Sequence, residues 1–138
     1  MKLVKILFLS LFTISLLTFS SCKKSEGEGG KATITGKIWV KRYNQFGVAI
    51  LASLGGEYAG AYEDVYIIYG DDATYGDRIQ ANGDGVYEFK YLRTGKYTIY
   101  AYSEGTNVTT ANRVAVLKTV EITKKKQEVE CEMIEIDR

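Results

Sequence analysis

The amino-acid sequence predicts an all-β protein with one globular domain, an antiparallel β-sandwich of seven strands over residues 32–138. From Ala32 onward, short runs rich in Val, Ile, Thr and Tyr are separated by clusters of glycine, which is typical of strands and turns. No stretch of this region keeps the 3.6-residue period of an amphipathic helix. Proline is absent, so the turns depend on Gly, Asn and Asp.

The first predicted strand is "ATITGKIWV" (32–40), where alternation places Ile34, Ile38 and Val40 on one face. The next stretch, residues 43–63, is ambiguous, because a short apolar run such as "FGVAILASL" suits a strand, a short helix or an apolar surface loop. We favour a strand followed by a loop.

Residues 64–70 and 75–81 predict two further strands, the second of them weaker. The glycine-rich turn Asn82 to Gly85 then predicts a hairpin to the strand that carries Tyr87 and Phe89 on one face. Three strands complete the domain, at 96–103, 113–123 and 127–136.

The segment "GDRIQANGDGVYEFKYLRTGKYTIYAYSEG" resembles the core signature of the carboxypeptidase regulatory-like domains, which are transthyretin-like and Cna-B-like sandwiches. The matching positions are the turn Asn82 to Gly85 and Tyr87, Phe89, Leu92, Gly95, Tyr97, Ile99 and Ala101. The resemblance covers about Ala32 to Ile136 and implies a seven-stranded Greek-key topology. It implies no particular function.

The N-terminus predicts an export signal over residues 1–21. Lys2 and Lys5 precede the apolar run 6–19, and the small residues Ser20 and Ser21 end it. The alternative, a membrane-spanning helix, needs about 20 apolar residues, which is longer than this run.

The stretch "FSSC" is similar to a bacterial lipobox, which implies that the signal is cut before Cys22 and that Cys22 carries lipid. Two or more acyl chains hold a protein stably on a membrane. The polar, glycine-rich residues 22–31 are then expected to form a flexible tether.

The chain has only two cysteines, so a lipid on Cys22 leaves Cys131 without a disulfide partner. In that case Cys131, in the alternating stretch "EVECEM", acts as a small buried hydrophobe. A Cys22 to Cys131 disulfide, suited to an oxidising periplasm, is the alternative.

A lipobox before a tyrosine-rich sandwich looks like a small envelope lipoprotein of the Bacteroidetes type, which implies attachment to the outer membrane. The residues after Cys22, "KKSEGE", leave the periplasmic and the surface face both open. Without residues 1–21, the side-chain charge falls from +1 to about −1, which gives no basic stripe for nucleic acid.

The composition argues against an enzyme. The chain has no histidine, which excludes Ser-His-Asp and Cys-His hydrolysis and histidine-ligated zinc. A glycosidase would need only two carboxylates, but the glutamates of 127–136 alternate with core residues as a solvated face does. We therefore expect neither catalysis nor a cofactor.

Two sets of residues are candidates for binding. In the outward phase of their strands, Trp39, Tyr66, Tyr100 and Tyr102 would expose rings with polar tips, which suits glycans or a protein partner as well as plain sheet packing. The acidic turn with Asp71, Asp72 and Asp77 offers hard oxygen ligands for calcium, although turn chemistry alone also explains aspartates beside glycines.

The sequence therefore favours a non-catalytic, lipid-anchored module of the cell envelope that contacts another protein in an adhesive or accessory role. A glycan-binding module that uses exposed tyrosines is the alternative hypothesis.

Overall fold

The computed structural model describes residues 25–104 and 113–138, which form an all-β fold with two sheets and no α-helix. A short 3-10 helix spans Ala52–Leu54. The described residues contain nine strands, which are β1 Glu28–Lys41, β2 Glu57–Ala59, β3 Asp64–Tyr69, β4 Asp77–Gln80, β5 Val86–Leu92, β6 Gly95–Glu104, β7 Arg113–Ile122, β8 Glu128–Glu130 and β9 Ile134–Asp137.

Strand β1 organises a five-stranded sheet because its two halves have different neighbours. Its first half pairs with β5 and β8, and its second half pairs with β2 and β9. The other sheet has the order β4-β3-β6-β7 and is antiparallel throughout. The all-β architecture of two sheets is as predicted, but the pairs of β1 with β8 and with β9 are parallel, so the predicted antiparallel arrangement is wrong there. The described residues contain nine strands where seven were predicted.

The core lies between the two sheets and is built from the alternation that the sequence predicts. Ile34 from β1, Ile67 from β3 and Tyr97 from β6 are fully buried and belong to one cluster. Successive side chains of a strand point to opposite faces, so every second residue of these strands reaches this cluster. Cys131 is buried in it as well, in agreement with its expected role as a small hydrophobe.

Strand β1 begins earlier than the predicted strand 32–40. Residues 28–31 belong to β1, and the Gly27 N–H donates a 3.0 Å hydrogen bond to the Tyr97 hydroxyl, so this part of the expected tether is packed. Gly30 explains the difference, because a Cβ there would lie 1.8 Å from the Leu92 carbonyl oxygen. The glycines that suggested flexibility instead permit close approach of two backbones.

The predicted hairpin across Asn82 to Gly85 is also wrong in its pairing. The turn exists, and the Asn82 side-chain oxygen accepts hydrogen bonds from the backbone of Asp84 and Val86 at 3.0 and 2.9 Å. However, β4 pairs with β3 and β5 pairs with β1, so the turn carries the chain from one sheet to the other.

The predicted strand 127–136 is divided into β8 and β9. Thr35 is opposite Glu130 and Ile38 is opposite Ile134, so the last segment advances four residues where β1 advances three. Because of this extra residue, the buried side chain is at an odd-numbered position before it, Cys131, and at even-numbered positions after it, Ile134 and Ile136, as in a β-bulge.

Residues 43–63 also differ from the favoured strand followed by a loop. Residues 42–56 form a loop, named here the apolar loop, and the short strand β2 comes after it. Gly47 and Gly55 both have φ of 72°, a conformation that ends regular strand geometry.

Candidate functional site

The four-stranded sheet presents four tyrosines on its outer face, named here the tyrosine cluster: Tyr66, Tyr75, Tyr100 and Tyr102. Tyr66 is directly opposite Tyr100 in the β3–β6 ladder, and their rings stack with centroids 4.9 Å apart and planes at 11°. Tyr75 and Tyr102 meet the Tyr66 ring edge-on at 5.1 and 5.5 Å. Edge-to-face and offset contacts of this kind stabilise aromatic groups.

Mutual packing limits what the cluster can offer to a ligand. Tyr100 is only 8% exposed, so the prediction that its ring is open to solvent is wrong. Burial, together with the neighbouring Tyr102 hydroxyl, raises the pKa of Tyr100 to about 12. Tyr75, which the sequence reasoning missed, is 52% exposed. It begins the weaker predicted strand 75–81, but in the structure it precedes β4, so its position in the cluster depends on the turn and not on alternation.

A small polar cleft lies beside the cluster. It encloses about 90 Å³ and is lined by three tyrosines, two acidic residues and two arginines, namely Tyr62, Tyr66, Tyr102, Glu63, Asp64, Arg113 and Arg138. Arg138 is held in place by a 2.5 Å ion pair with Glu63 and a 3.1 Å hydrogen bond to the Tyr102 carbonyl oxygen. Tyr62 is 70% exposed at its border. Hydrogen-bonding groups next to an open ring suit a polar, cyclic ligand such as a sugar.

Trp39 does not join the tyrosine cluster. It lies on the outer face of the five-stranded sheet, where its Nε1 donates a 3.2 Å hydrogen bond to Glu57 and the Lys37 ammonium lies 5.4 Å from the ring centroid. The predicted contact set is therefore divided between the two faces of the molecule. A role for any of these four residues in ligand contact stays a prediction.

The apolar loop exposes several large apolar side chains close together in the sequence. Its exposed side chains include Phe46 at 78% and Leu54 at 74%, with Val48 and Leu51 also more than half exposed. The loop contains no acidic residue from Arg42 to Gly56. Such concentrations of exposed apolar side chains mark interaction sites. The sequence left this segment ambiguous, because the same apolar run also predicts a buried strand.

Backbone hydrogen bonds fix the shape of this loop. Arg42 N–H donates to the Gly56 carbonyl at 2.7 Å, and Ile50 N–H donates to the Arg42 carbonyl at 2.9 Å. The Asn44 side-chain oxygen accepts from the N–H groups of Phe46 and Val48 at 2.9 and 3.0 Å. The backbone that carries the exposed side chains is therefore fixed before any partner binds, which lowers the entropic cost of binding.

The acidic turn gives no support to the predicted calcium site. Asp77 uses its Oδ1 to accept the Arg78 N–H at 2.7 Å, and Asp71 and Asp72 are exposed. In the part of the chain that the structure describes, no group of three or more His, Cys, Asp or Glu side chains is placed to hold a metal ion. Turn chemistry accounts for these aspartates.

The predicted lipid site, Cys22, and the predicted signal lie outside the described residues. Among residues 25–104 and 113–138, no helix is long and apolar enough to cross a membrane.

No protein-family model matches the chain, and a comparison with curated proteins gives no match. Among solved structures, the chain is similar to a candidate carbohydrate-binding protein from Pseudomonas aeruginosa, at 12% identity over 81% of this chain and 91% of that chain, with a TM-score of 0.46. It is also similar to a DUF3823 family protein from Parabacteroides merdae, at 20% identity over 71% of this chain and 45% of that chain, with a TM-score of 0.31. At this level of similarity, no function is transferred from either protein.

Proposed function

We propose that the protein is a non-catalytic, lipid-anchored module of the bacterial cell envelope that binds a partner protein through the apolar loop. The exposed side chains of Phe46, Val48, Leu51 and Leu54, on a loop whose backbone is fixed by hydrogen bonds, carry this proposal. Apolar side chains on a preorganised loop favour burial in an apolar groove of another protein.

The position of the loop agrees with an anchored module. It follows the C-terminal end of β1, whereas Ser25 precedes the N-terminal end. Fourteen residues of strand are roughly 40 Å long. A lipid on Cys22 would therefore hold the other end of the domain and leave the loop pointing away from the membrane.

We also propose that the domain is related to the carboxypeptidase regulatory-like Greek-key sandwiches. The burial of the residues that carry the resemblance supports this proposal. Tyr87, Phe89, Leu92, Tyr97, Ile99 and Ala101 are buried in the core. Gly95 begins β6 with φ of 145°.

Site-specific photocrosslinking in living cells tests the protein contact. A photoreactive phenylalanine analogue at position 54 is expected to give one discrete protein adduct, and Phe46→Ser is expected to abolish it. Position 117 on β7 is the matched control, because Leu117 is also an exposed apolar residue but lies far along the other sheet. Equal adducts from positions 54 and 117, or none from the loop, would contradict the proposal.

The anchor is tested separately. Mass spectrometry of the mature N-terminal peptide is expected to find acyl chains on Cys22, and Cys22→Ser is expected to release the protein from the membrane fraction. An unmodified Cys22 in the wild-type protein would overturn this part of the proposal. Outer-membrane attachment is checked by fractionation of the two membranes.

A second candidate function, glycan binding, is favoured by the polar cleft beside the tyrosine cluster. Tyr62 and Tyr102 border this cleft. Tyr62 is the residue to change, because Tyr102 packs edge-on against the buried Tyr100 with ring centroids 5.5 Å apart. If glycans bind there, an array signal is expected that Tyr62→Ala removes and that Tyr91→Ala, an exposed tyrosine on the other sheet, leaves unchanged. Absence of any array signal from the wild-type protein would exclude this function.

A further inference from the structure

A second, larger cleft lies at the opposite end of the domain from the apolar loop. It encloses about 470 Å³, and we name it the basic cleft after the charged residues that line it, Lys31, Arg93, Lys125 and Lys126. None of its lining residues is acidic. None of the four cations forms an ion pair within the described residues. Four uncompensated positive charges around one cavity create a strong local positive potential.

Arg93 is fixed by contacts on both its backbone and its side chain. Its N–H donates to the Gly27 carbonyl at 2.9 Å, and its carbonyl accepts the Tyr97 hydroxyl at 2.8 Å. The guanidinium donates from Nη1 to the Ser25 carbonyl at 3.2 Å and lies flat against Gly29, where a Cβ would come within 3.0 Å of Nη2. The buried Nε–H has no acceptor in the described part of the chain, so this charge is only partly satisfied.

The two lysines of the β7–β8 turn are held by a side-chain clamp. Gln127 Oε1 accepts the backbone N–H groups of Thr123 and Lys124 at 2.8 and 3.0 Å. The Gln127 carbonyl also accepts the Thr33 N–H at 2.9 Å, which ties the turn to β1. This turn holds Lys125 and Lys126 at the border of the cavity.

Glu128, two residues after Lys126, is exposed on β8 and does not line the basic cleft. The two acidic residues that precede Lys31 are engaged elsewhere. The Glu26 side chain packs across Gly95 and Gly70, where added Cβ atoms would meet it at 2.1 and 3.3 Å. Glu28 lies near Tyr69, and burial together with this carboxylate raises the pKa of Tyr69 to about 12. Neither carboxylate lines the basic cleft, so its charge is left for a ligand.

We propose that the basic cleft is a phosphate-binding site. A guanidinium and several ammonium groups around a cavity are the donors that phosphate oxygens prefer. The phosphate has two sources, a soluble phosphate or phosphate ester and the headgroup of an anionic phospholipid. The headgroup source rests on the proposed lipid anchor, because Ser25 at this end of β1 is three residues from Cys22.

The first arm of the test uses soluble phosphate and does not depend on the anchor. The full chain, 15N-labelled in micelles of an uncharged detergent, is titrated with inorganic phosphate against sodium chloride of equal ionic strength. The Arg93 Nε–H resonance, assigned by its loss in Arg93→Lys, is expected to shift and saturate. Lys125→Gln with Lys126→Gln is expected to weaken binding roughly tenfold, whereas Lys37→Gln with Lys96→Gln, two exposed lysines outside the cleft, changes it less than twofold.

The second arm separates the two sources of phosphate. The chain is placed on vesicles of phosphatidylcholine alone or of phosphatidylcholine with phosphatidylglycerol. Amide hydrogen exchange of residues 29–31 and 92–94 is expected to slow only on the anionic vesicles, and only when Lys125 and Lys126 are present. If these amides are protected on anionic vesicles but the cleft is not saturated by inorganic phosphate, the ligand is the lipid headgroup. If inorganic phosphate saturates the cleft, the ligand is a soluble phosphate.

The proposal would be overturned if neither inorganic phosphate nor the anionic vesicles gave a response, or if both pairs of lysine substitutions weakened phosphate binding equally. Failure of the anchor has a different signature, because an unanchored chain would not associate with vesicles of phosphatidylcholine alone. Its response to soluble phosphate would still report on the cleft.

Discussion

Two buried tyrosines give a direct test of the packing described above, because the same substitution is expected to have opposite effects at the two sites. Tyr87 and Tyr97 are both almost completely buried in the core. The Tyr87 hydroxyl has no hydrogen-bond partner of ordinary geometry among the described residues, and its polar neighbour is the thiol of Cys131, a weak partner. The Tyr97 hydroxyl accepts the Gly27 N–H and donates to the Arg93 carbonyl.

An unsatisfied buried hydroxyl costs about 1–3 kcal/mol, and the small void left by its removal offsets part of the gain. Tyr87→Phe is therefore expected to raise the free energy of unfolding by about 1 kcal/mol. Tyr97→Phe loses two hydrogen bonds and leaves the Gly27 N–H without its partner. It is expected to lower the free energy of unfolding by about 2–3 kcal/mol.

Urea denaturation followed by circular dichroism and by the fluorescence of Trp39 measures both variants, with midpoints compared at equal m-values. Tyr91→Phe on the exposed side of β5 is the matched control and is expected to change stability by less than about 0.5 kcal/mol. A loss of more than about 1 kcal/mol in Tyr87→Phe would show that its hydroxyl has a real partner and would refute the reasoning.

Three further predictions follow from local contacts. The pKa of Tyr100 is raised from 10.0 to about 12, so its contribution to stability is complete below pH 10 and is lost as the pH rises through about 12. Over this pH range, the urea midpoint of Tyr100→Phe is expected to fall less steeply than that of the wild-type protein. Gly36→Ala would place a Cβ 2.2 Å from the Tyr87 hydroxyl, so it is expected to lower the free energy of unfolding by about 1–3 kcal/mol. In a Tyr87→Phe background the same substitution is expected to cost less, and a double-mutant cycle measures the difference. Lys118 donates a 2.8 Å hydrogen bond to Glu132, which lowers the pKa of the Glu132 carboxyl. The small stabilisation from this exposed pair is therefore present above the ordinary pKa of 4.5 and is lost as the pH falls. Carboxyl NMR is expected to find a higher Glu132 pKa in Lys118→Gln than in the wild-type protein.

The parts of the fold that were predictable depend on a period of two along one strand. In β6, Tyr97, Ile99 and Ala101 are buried as their alternation predicts. Pairing between strands was less readable. The Asn82 turn fixes a local change of direction, but nothing within it decides whether the next strand joins the same sheet or the facing one. The one-residue insertion after Cys131 was hidden because both phases of that segment read as apolar alternating with glutamate.

The surface sites were harder to predict for a different reason. Alternation placed Tyr66 and Tyr100 on the outer face, where they are, but the exposure of each ring depends on its neighbours across the sheet. Tyr100 is covered because Tyr66 lies directly opposite it. For Phe46 and Leu54, the sequence left a strand, a short helix and a surface loop open, and only the path of the loop shows that these side chains are exposed.

Strand β1 relates the two proposed binding sites. Its first residues lie beside the basic cleft, and the apolar loop begins where it ends. Tyr97 supports the cleft end of this strand, since its hydroxyl joins Gly27 before β1 to Arg93 after β5. Loss of that hydroxyl should therefore weaken phosphate binding as well as stability, while the apolar loop, roughly 40 Å away, keeps its contacts. Protein contact that survives in Tyr97→Phe, with weakened phosphate binding, would show that the two ends of the domain act independently.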